Sequence, residues 1–239
     1  MKINVLFKKI YMRLELFLAK RSESNYANYL RRKGIKVGKN LRIVDVHSIS
    51  IDRTRPSLVS IGDNVSFNRN FTLLTHDFVS GIFRNKYYDF INSSGKVVIG
   101  NNVRFGINVT VLKGVKIGDN SFIAAGSLVN KDIPSNSVAG GVPAKVICSM
   151  DDFYNKRKEI CLIEAKEYAQ SIVERFNRNP VPSDFWEEFH LFVNRSNIEQ
   201  YMEDIPIKKQ LGIAFDTWLE NHESKYKNFE EFLSDALQK

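Results

Sequence analysis

The sequence predicts a parallel β-helix, a solenoid of short strands, with α-helical segments at both ends of the chain. Two observations predict this fold class: an apolar residue recurs at every sixth position through the middle of the chain, and the flanking stretches have helical spacing. The composition is a third observation that bears on the fold class. With 43% hydrophobic and 26% charged residues among 239, the chain can bury a core, which excludes a disordered or collagen-like protein.

The six-residue period is clearest in the middle of the chain. It is carried by the apolar series Ile99, Phe105, Val111, Ile117, Ile123 and Val129. An α-helix needs a spacing near 3.6 and an alternating strand a spacing of two, so neither explains this period. Three hexapeptides would instead form one triangular coil, with the apolar residue inside and Gly or Asn at the corners, where positive φ is needed. A β-sandwich with regular turns is the alternative.

The period continues towards the N-terminus and is interrupted once. Ile61, Phe67 and Leu73 keep the register, but the 26 residues from Leu73 to Ile99 are not a multiple of six. The segment 78–95 lies in this gap and contains five aromatic residues. A loop that leaves a solenoid usually lies on its binding face, so we predict a functional loop insertion over 78–95. The alternative is a loop whose aromatics pack down on the coils.

Residues 1–34 are predicted to form an N-terminal helical cap. Residues 3–18 carry an apolar stripe at helical spacing, so this is an amphipathic helix with its basic residues mostly off the stripe. Residues 1–60 contain 14 Lys and Arg against 4 Asp and Glu, a net charge of +10. Such a helix covers the open end of a solenoid or lies on an anionic membrane surface through residues 1–20; we favour the cap.

The location expected from the sequence is cytoplasmic. The N-terminal stretch interleaves basic and apolar residues and has no small-residue cleavage site, and no stretch reaches the roughly twenty uninterrupted apolar residues of a membrane span. If residues 1–20 lie on a membrane, the protein is peripheral to its inner face. The two cysteines are too few for a disulfide framework.

Residues 148–239 are predicted to be an acidic, α-helical C-terminal extension. They contain 12 Lys and Arg against 18 Asp and Glu, and helical spacing runs over 159–176, 208–222 and 228–237. A further helix is predicted to begin at Ser183 as its N-cap. The histidines of this extension, His190 and His222, are expected to be packing or surface residues.

Several function classes are excluded by missing residues. No helix-turn-helix, zinc-finger or RNA-recognition signature is present, so no nucleic-acid partner is expected. A zinc site on this fold would need three histidines, and the coils hold only His47 and His76, so no metal is expected. A non-catalytic β-helix scaffold stays open, because the fold alone implies no chemistry.

The run 97–147 resembles the hexapeptide-repeat acyltransferases, in particular the maltose, galactoside and surface-polysaccharide O-acetyltransferase branch. The most specific pieces are AAGSLVNKDIP at 124–134 and GGVPAKVI at 140–147. The resemblance implies a left-handed β-helix over 35–147, acetyl-CoA as co-substrate and a homotrimer with cofactor grooves between neighbouring β-helices. It implies an acetyl-CoA-dependent O-acetyltransferase acting on a hydroxyl of a sugar or surface-polysaccharide precursor. N-acetylation of an amino-sugar nucleotide and O-acetylation of a small xenobiotic are the alternatives.

The resemblance also implies a catalytic base. His76 ends a coil directly before the aromatic loop, where the similar enzymes place their catalytic histidine, and imidazole suits proton removal near neutral pH. Asp52, one coil earlier, and the adjacent Asp77 are candidates for the group that orients this ring. A backbone N–H around Gly106 and Ile107 is expected to face the oxyanion, since a close backbone approach favours glycine.

The remaining site residues divide between the two substrates. Those that match positions contacting the cofactor in similar enzymes are Gly106, Ile107, Ala125, Asn130, Lys131 and Lys145. The lysines suit the phosphates at the adenine end. We assign the aromatics of the loop, in particular Phe83, Tyr87 and Tyr88, to the acceptor, because a sugar ring can lay its apolar face on such a surface.

Overall fold

The computed structural model describes residues 2–238, with the side chains of that range except those of residues 2–6, 8 and 9. The chain forms two compact units, of which the first extends to Phe153 and the second begins at Tyr154. In the part described, no helix combines the length and the apolar character needed to cross a bilayer.

The first unit is a parallel β-helix of short strands. Its strands are β1 Lys36–Val37, β2 Arg42–Ile43, β3 Ser50–Ile51, β4 Val59–Ile61, β5 Ser66–Phe67, β6 Thr72–Leu73, β7 Val97–Ile99, β8 Arg104–Phe105, β9 Thr110–Val111, β10 Lys116–Ile117, β11 Phe122–Ile123, β12 Leu128–Val129, β13 Ser137–Gly141 and β14 Ala144–Ser149. They form three sheets, ordered β1-β4-β7-β10, β2-β5-β8-β11-β13-β14 and β3-β6-β9-β12. Neighbouring strands are parallel except β13 and β14, which pair antiparallel.

The helices lie before, within and after these strands. They are α1 Lys2–Ala19, α2 Glu23–Arg32, α3 Ser80–Tyr87, α4 Met150–Phe176, α5 Ile207–Leu211, α6 Phe215–Asn221 and α7 Phe229–Leu237.

The coils are built from the six-residue repeat that the sequence predicts. Ile99 pairs with Ile117 and Phe105 with Ile123, an offset of 18 residues, or three hexapeptides per coil. The apolar residues of the series are all at most 3% exposed, because each points into the narrow core between the three sheets. The predicted parallel β-helix is therefore confirmed, and the β-sandwich alternative is wrong.

Asparagine residues turn many of the corners. Asn102 and Asn120, for example, have φ values of +53° and +52°, in the left-handed region that asparagine tolerates. The Nδ2 of Asn102 donates to Oδ1 of Asn120 at 2.9 Å, and Asn120 donates in the same way to Asn136 at 3.1 Å. The corner residues thus also bind one coil to the next.

The three sheets meet along three edges of the β-helix, and the residues that lie at these edges differ. Edge 1 lies between the first and second sheets and carries the asparagine ladder just described. Edge 2 lies between the second and third sheets and includes residues 106–109 and 124–127. Edge 3 lies between the third sheet and the next strand of the first; it includes residues 74–96, which hold the predicted insertion, and residues 112–115.

The two N-terminal helices pack on the first coil in different ways. Helix α2 places Tyr26, Tyr29 and Leu30 in the core, all at most 4% exposed. Helix α1 contributes Leu16 and Ala19. The apolar stripe of α1 was predicted to cover the coil, but its described part, from Phe7 to Leu18, is exposed, because the helix packs through the opposite side. The Ile3 and Leu6 side chains of the predicted stripe lie outside the described residues.

The second unit has its own apolar core, built largely from aromatic side chains such as Phe185, Phe192 and Phe232, each fully buried. The helix predicted from Ser183 is wrong: the chain makes short 3₁₀ turns at Pro182–Phe185 and Glu188–Leu191. The Asp184 carboxylate accepts the Val181 N–H at 2.8 Å, so the turn is closed by Asp184 and not by Ser183. Packing of the aromatic residues outweighs the weak helical preference of this segment.

Candidate active site

His76 and Asp52 meet at edge 3 on successive coils. His76 follows β6 and Asp52 follows β3, and these strands pair in register with Ile51 opposite Leu73. The His76 Nδ1 lies 2.7 Å from the Asp52 Oδ2. The side chain of Asp52 is 5% exposed and that of His76 is 19% exposed, so the carboxylate lies beneath a ring that solvent reaches.

Two threonines hold the Asp52 carboxylate. The N–H and hydroxyl of Thr54 donate to Oδ1 at 2.9 and 2.7 Å. The N–H of the fully buried Thr75 donates to Oδ2 at 3.2 Å, and its hydroxyl donates to the same oxygen. Burial alone would raise the pKa of Asp52, but the hydrogen bonds from Thr75, Thr54 and His76 outweigh it and hold that pKa well below its usual range.

The ionised carboxylate sets the tautomer of His76. Because it can only accept hydrogen bonds, Nδ1 must carry the proton of the neutral ring. The lone pair of the ring then lies on Nε2, the nitrogen opposite Asp52. The pair therefore has the arrangement of a general base with its orienting group.

Asp77 accepts hydrogen bonds from residues at both ends of the insertion and not from His76. The prediction that it could orient His76 is therefore wrong. Its carboxylate accepts from the Val79 N–H at 3.1 Å and the Ser93 hydroxyl at 2.8 Å, and it pairs with the Lys113 ammonium. The hydrogen bond from Lys113, then those from Val79 and Ser93, lower the pKa of Asp77 to about 2. Its oxygens are occupied by these donors and do not contact the imidazole.

The insertion contains a helix, α3, where the sequence predicted only a loop. Phe78 lies edge-on to His76, with 5.4 Å between the ring centroids. Tyr87 and Tyr88 are 59% and 93% exposed, and Phe83 is half-buried. The alternative in which the aromatics pack down on their own coils is therefore wrong for Tyr87 and Tyr88, whereas Phe83 is partly covered.

Gly106, Ile107 and Ala125 lie together at edge 2. A Cβ at Gly106 would lie 2.5 Å from the Ala125 nitrogen, so close stacking of coils explains this glycine. The Gly106 N–H donates to the Ile123 carbonyl at 2.8 Å. It is not available to an oxyanion, which corrects that part of the prediction and leaves the Ile107 N–H as the candidate. The Ile107 side chain is 45% exposed.

The other predicted cofactor residues belong to the last coil and the terminal hairpin. Asn130 and Lys131 are exposed directly after β12, and Lys145 is exposed on β14, opposite Gly140. Because His76 lies at edge 3 and Ile107 and Ala125 lie at edge 2, one protomer does not bring these two groups together.

Sequence reasoning missed Thr54, Thr75 and Lys113. The sequence could have indicated Thr54, because a threonine two residues after an aspartate is typical of a turn closed by side-chain hydrogen bonds. No sequence pattern could have indicated Lys113, since it lies 36 residues from its partner Asp77. Within the described residues, no group of three or more His, Cys, Asp and Glu side chains could hold a metal ion.

Comparison with known proteins gives the chemical class. The family model described as bacterial transferase hexapeptide (six repeats) matches residues 96–131. Protein CapG of Staphylococcus aureus is 36% identical over 66% of this chain and 88% of its own length. The galactoside O-acetyltransferase of Escherichia coli is 43% identical over 47% of this chain and 50% of its own length.

Among solved structures, a galactoside acetyltransferase in complex with coenzyme A aligns with 62% of this chain and 83% of that chain, at 30% identity and a TM-score of 0.44. The sequence relatives confirm the enzyme class predicted from the motifs, and this chain belongs to the bacterial hexapeptide-repeat transferase family, among its acetyltransferases.

Proposed function

We propose that this protein transfers an acetyl group from acetyl-CoA to a hydroxyl of a sugar, such as a surface-polysaccharide precursor, with His76 as general base. The observation that carries the proposal is the 2.7 Å contact between His76 Nδ1 and a nearly buried, ionised Asp52. His76 lies directly before the aromatic insertion. Family membership supplies the reaction class. Galactoside O-acetyltransferase, the name of one relative, supports a sugar as the acceptor.

In this reaction the His76 Nε2 removes the proton from the acceptor hydroxyl while its oxygen bonds to the thioester carbon. The bond from that carbon to sulfur then breaks, and His76 returns the proton to the departing thiolate, which leaves as the free thiol. Asp52 stabilises the ring while it carries the extra proton, and it stays ionised because its pKa is lowered.

A backbone N–H would stabilise the negative charge that develops on the thioester oxygen. The Ile107 N–H is the candidate, but it lies at edge 2 while the base lies at edge 3. A complete site therefore needs edge 3 of one copy beside edge 2 of another. Such a groove would also place Ala125 along the pantetheine arm, with Asn130, Lys131 and Lys145 towards the adenine end.

This division between edges supports a homotrimer, in which three copies close a ring of identical grooves. Light scattering is expected to give three times the 27.5 kDa chain mass at micromolar concentration. A monomer that is fully active would contradict the proposal. We also infer the left hand of the coil, which rests on the family resemblance.

Mixing two inactive variants tests the shared groove directly. His76→Ala damages edge 3 and Ala125→Trp obstructs edge 2, so each variant alone is expected to be inactive. A mixed trimer contains some grooves with neither change, and co-expression should restore part of the activity. If the site lay within one protomer, no mixture would be active.

The insertion is predicted to bind the acceptor and not acetyl-CoA. Replacing Phe83, Tyr87 and Tyr88 with alanine is expected to raise the KM for the acceptor, or lower its turnover, by about tenfold, because sugar stacking on the exposed Tyr87 and Tyr88 and the half-buried Phe83 is lost. The KM for acetyl-CoA should be unchanged. Tyr154→Ala, which removes a ring 60% exposed in the second unit, is the matched control. Weaker acetyl-CoA binding with unchanged acceptor kinetics would reverse the assignment.

The proposed activity itself is tested by release of free thiol from acetyl-CoA in the presence of galactosides, glucosides and amino sugars. A sugar-dependent release gives an acetylated product, and its lability to mild alkali distinguishes an ester from an amide. Ester formation supports the proposal, whereas an amide product favours the N-acetyltransferase alternative. Absence of binding to any CoA thioester, measured by calorimetry, would favour the non-catalytic scaffold.

A further inference from the structure

The face of α1 that points away from the β-helix carries a continuous apolar stripe. It consists of Phe7, Ile10, Leu14, Phe17 and Leu18, spaced so that all lie on one side of the helix. Each is between 41% and 67% exposed. Large apolar side chains in one contiguous exposed patch mark an interaction surface, whereas scattered ones do not.

The opposite side of α1 explains why the stripe stays outside. Leu16 and Ala19 pack into the core of the β-helix. Glu15 accepts from the Lys33 ammonium at 2.7 Å and lies 4.0 Å from the Arg32 guanidinium. These contacts fix the rotation of the helix about its axis, so the stripe cannot turn inward without breaking them.

The N-terminal segment that carries the stripe is strongly basic in sequence. Residues 1–22 contain six Lys and Arg and one acidic residue, Glu15, a net charge of +5. Glu15 is already paired with Lys33. Arg13 is exposed beside the stripe, and the Arg21 guanidinium lies 5.9 Å from the centroid of the Phe17 ring.

A cleft of about 340 Å³ between α1 and α2 adjoins the stripe. Leu18 belongs to both, and the cleft is lined by the polar side chains of Arg21, Asn25 and Arg32 and by the Glu15 carboxylate. Guanidinium groups bind phosphate oxygens with two parallel hydrogen bonds. The Arg21 guanidinium, which lies beside Phe17 of the stripe, is thus suited to bind a phosphate group.

We propose that α1 lies in the surface of an anionic lipid bilayer, with the apolar stripe among the acyl chains and lipid phosphates at Arg13 and Arg21. This is the combination by which interfacial helices bind: buried apolar area together with attraction to anionic headgroups. A second copy of the chain is the other occupant to consider. Two copies meeting through this stripe would bring two segments of charge +5 together, which electrostatic repulsion opposes.

Flotation with lipid vesicles tests the proposal without reference to activity. The whole protein is expected to float with phosphatidylcholine vesicles that contain about 30% phosphatidylglycerol, to bind pure phosphatidylcholine at least about tenfold more weakly, and to be released by high salt. Phe17→Trp adds a reporter, since the two native tryptophans, Trp186 and Trp218, lie in the second unit. Its emission should shift to the blue on binding.

Two double variants identify the surface. Leu14→Ser with Phe17→Ser is expected to lower vesicle affinity at least about tenfold, and Arg13→Gln with Arg21→Gln by about tenfold. Ile163→Ser with Ile213→Ser removes apolar side chains that are 58% and 95% exposed in the second unit, and should bind as the wild type does. All these side chains are exposed, so the fold should be retained, which circular dichroism checks.

The outcomes separate the occupants. Wild-type protein that does not bind anionic vesicles, or a stripe variant that binds them normally, would overturn the proposal. If the stripe variant forms a smaller oligomer than the wild type and neither binds vesicles, the stripe is a contact between copies.

Discussion

His76→Ala is expected to lower kcat by a factor of about 10² to 10⁴, the usual contribution of a general base. The variant removes the Nε2 that would take the acceptor proton, while Asp52 keeps its hydrogen bonds to Thr54 and Thr75. The affinity for acetyl-CoA, measured by calorimetry, should stay nearly unchanged, because the imidazole acts on the acceptor and not on the cofactor.

The control is His47→Ala, which removes an exposed histidine elsewhere on the coils. It should turn over at the wild-type rate. Undiminished turnover by His76→Ala in a defined acceptor assay would show that another group is the base. A loss of acetyl-CoA affinity equal to the loss of activity would instead place His76 in the cofactor groove.

Asp52→Asn is expected to lower kcat on the order of a hundredfold or more, although Asp52 does not touch substrate. The neutral amide no longer stabilises the protonated ring, and it can turn either its oxygen or its NH₂ group to Nδ1, which loosens control of the tautomer. The KM for acetyl-CoA should stay nearly unchanged, a split between kcat and KM that a general loss of structure would not produce.

Asp63→Asn is the matched control for this change. Asp63 lies at edge 1, and its carboxylate accepts the Lys39 N–H of the adjacent coil at 2.6 Å. This variant loses the same charge from a similar turn and should keep both its kcat and its KM. If both variants lose activity alike, the effect of Asp52 is one of coil stability and the positioning role is wrong.

Asp52 should also affect stability in a pH-dependent way. Its folded pKa lies below the unfolded value of about 3.9, so its contribution is complete above that value and is lost as pH falls through the lower folded pKa. The unfolding free energy of Asp52→Asn should therefore fall below that of the wild type by about 1–3 kcal/mol near pH 7. Thermal melts should show this gap narrowing below about pH 4. A gap that is constant from pH 7 to about pH 3 would contradict the ionic origin.

The sequence by itself determined the coil and singled out His76 as the candidate base. Each coil must bury an apolar side chain at the same point of the triangle, so residues such as Ile99 and Ile117 show the period without any knowledge of long-range contacts. The break in that period marked the insertion, and His76 could be singled out because it stands at the start of the break.

The tertiary structure decided which carboxylate supports His76. Ile51 pairs with Leu73 at an offset of 22 residues, not 18, because the connections between these strands are irregular. Spacing alone therefore could not show that Asp52 lies under the imidazole, or that Asp77, its sequence neighbour, turns away to Lys113.

The tertiary structure also decided the rotation of α1 about its axis. Periodicity shows that a helix has an apolar face but not which face meets the rest of the protein. Here Leu16, Ala19 and the ion pair of Glu15 with Lys33 form the inner contact and leave the stripe outside. The hexapeptide period is a local property that each coil repeats, whereas the support of His76 and the orientation of α1 depend on contacts between residues 18 to 24 positions apart, which no local pattern encodes.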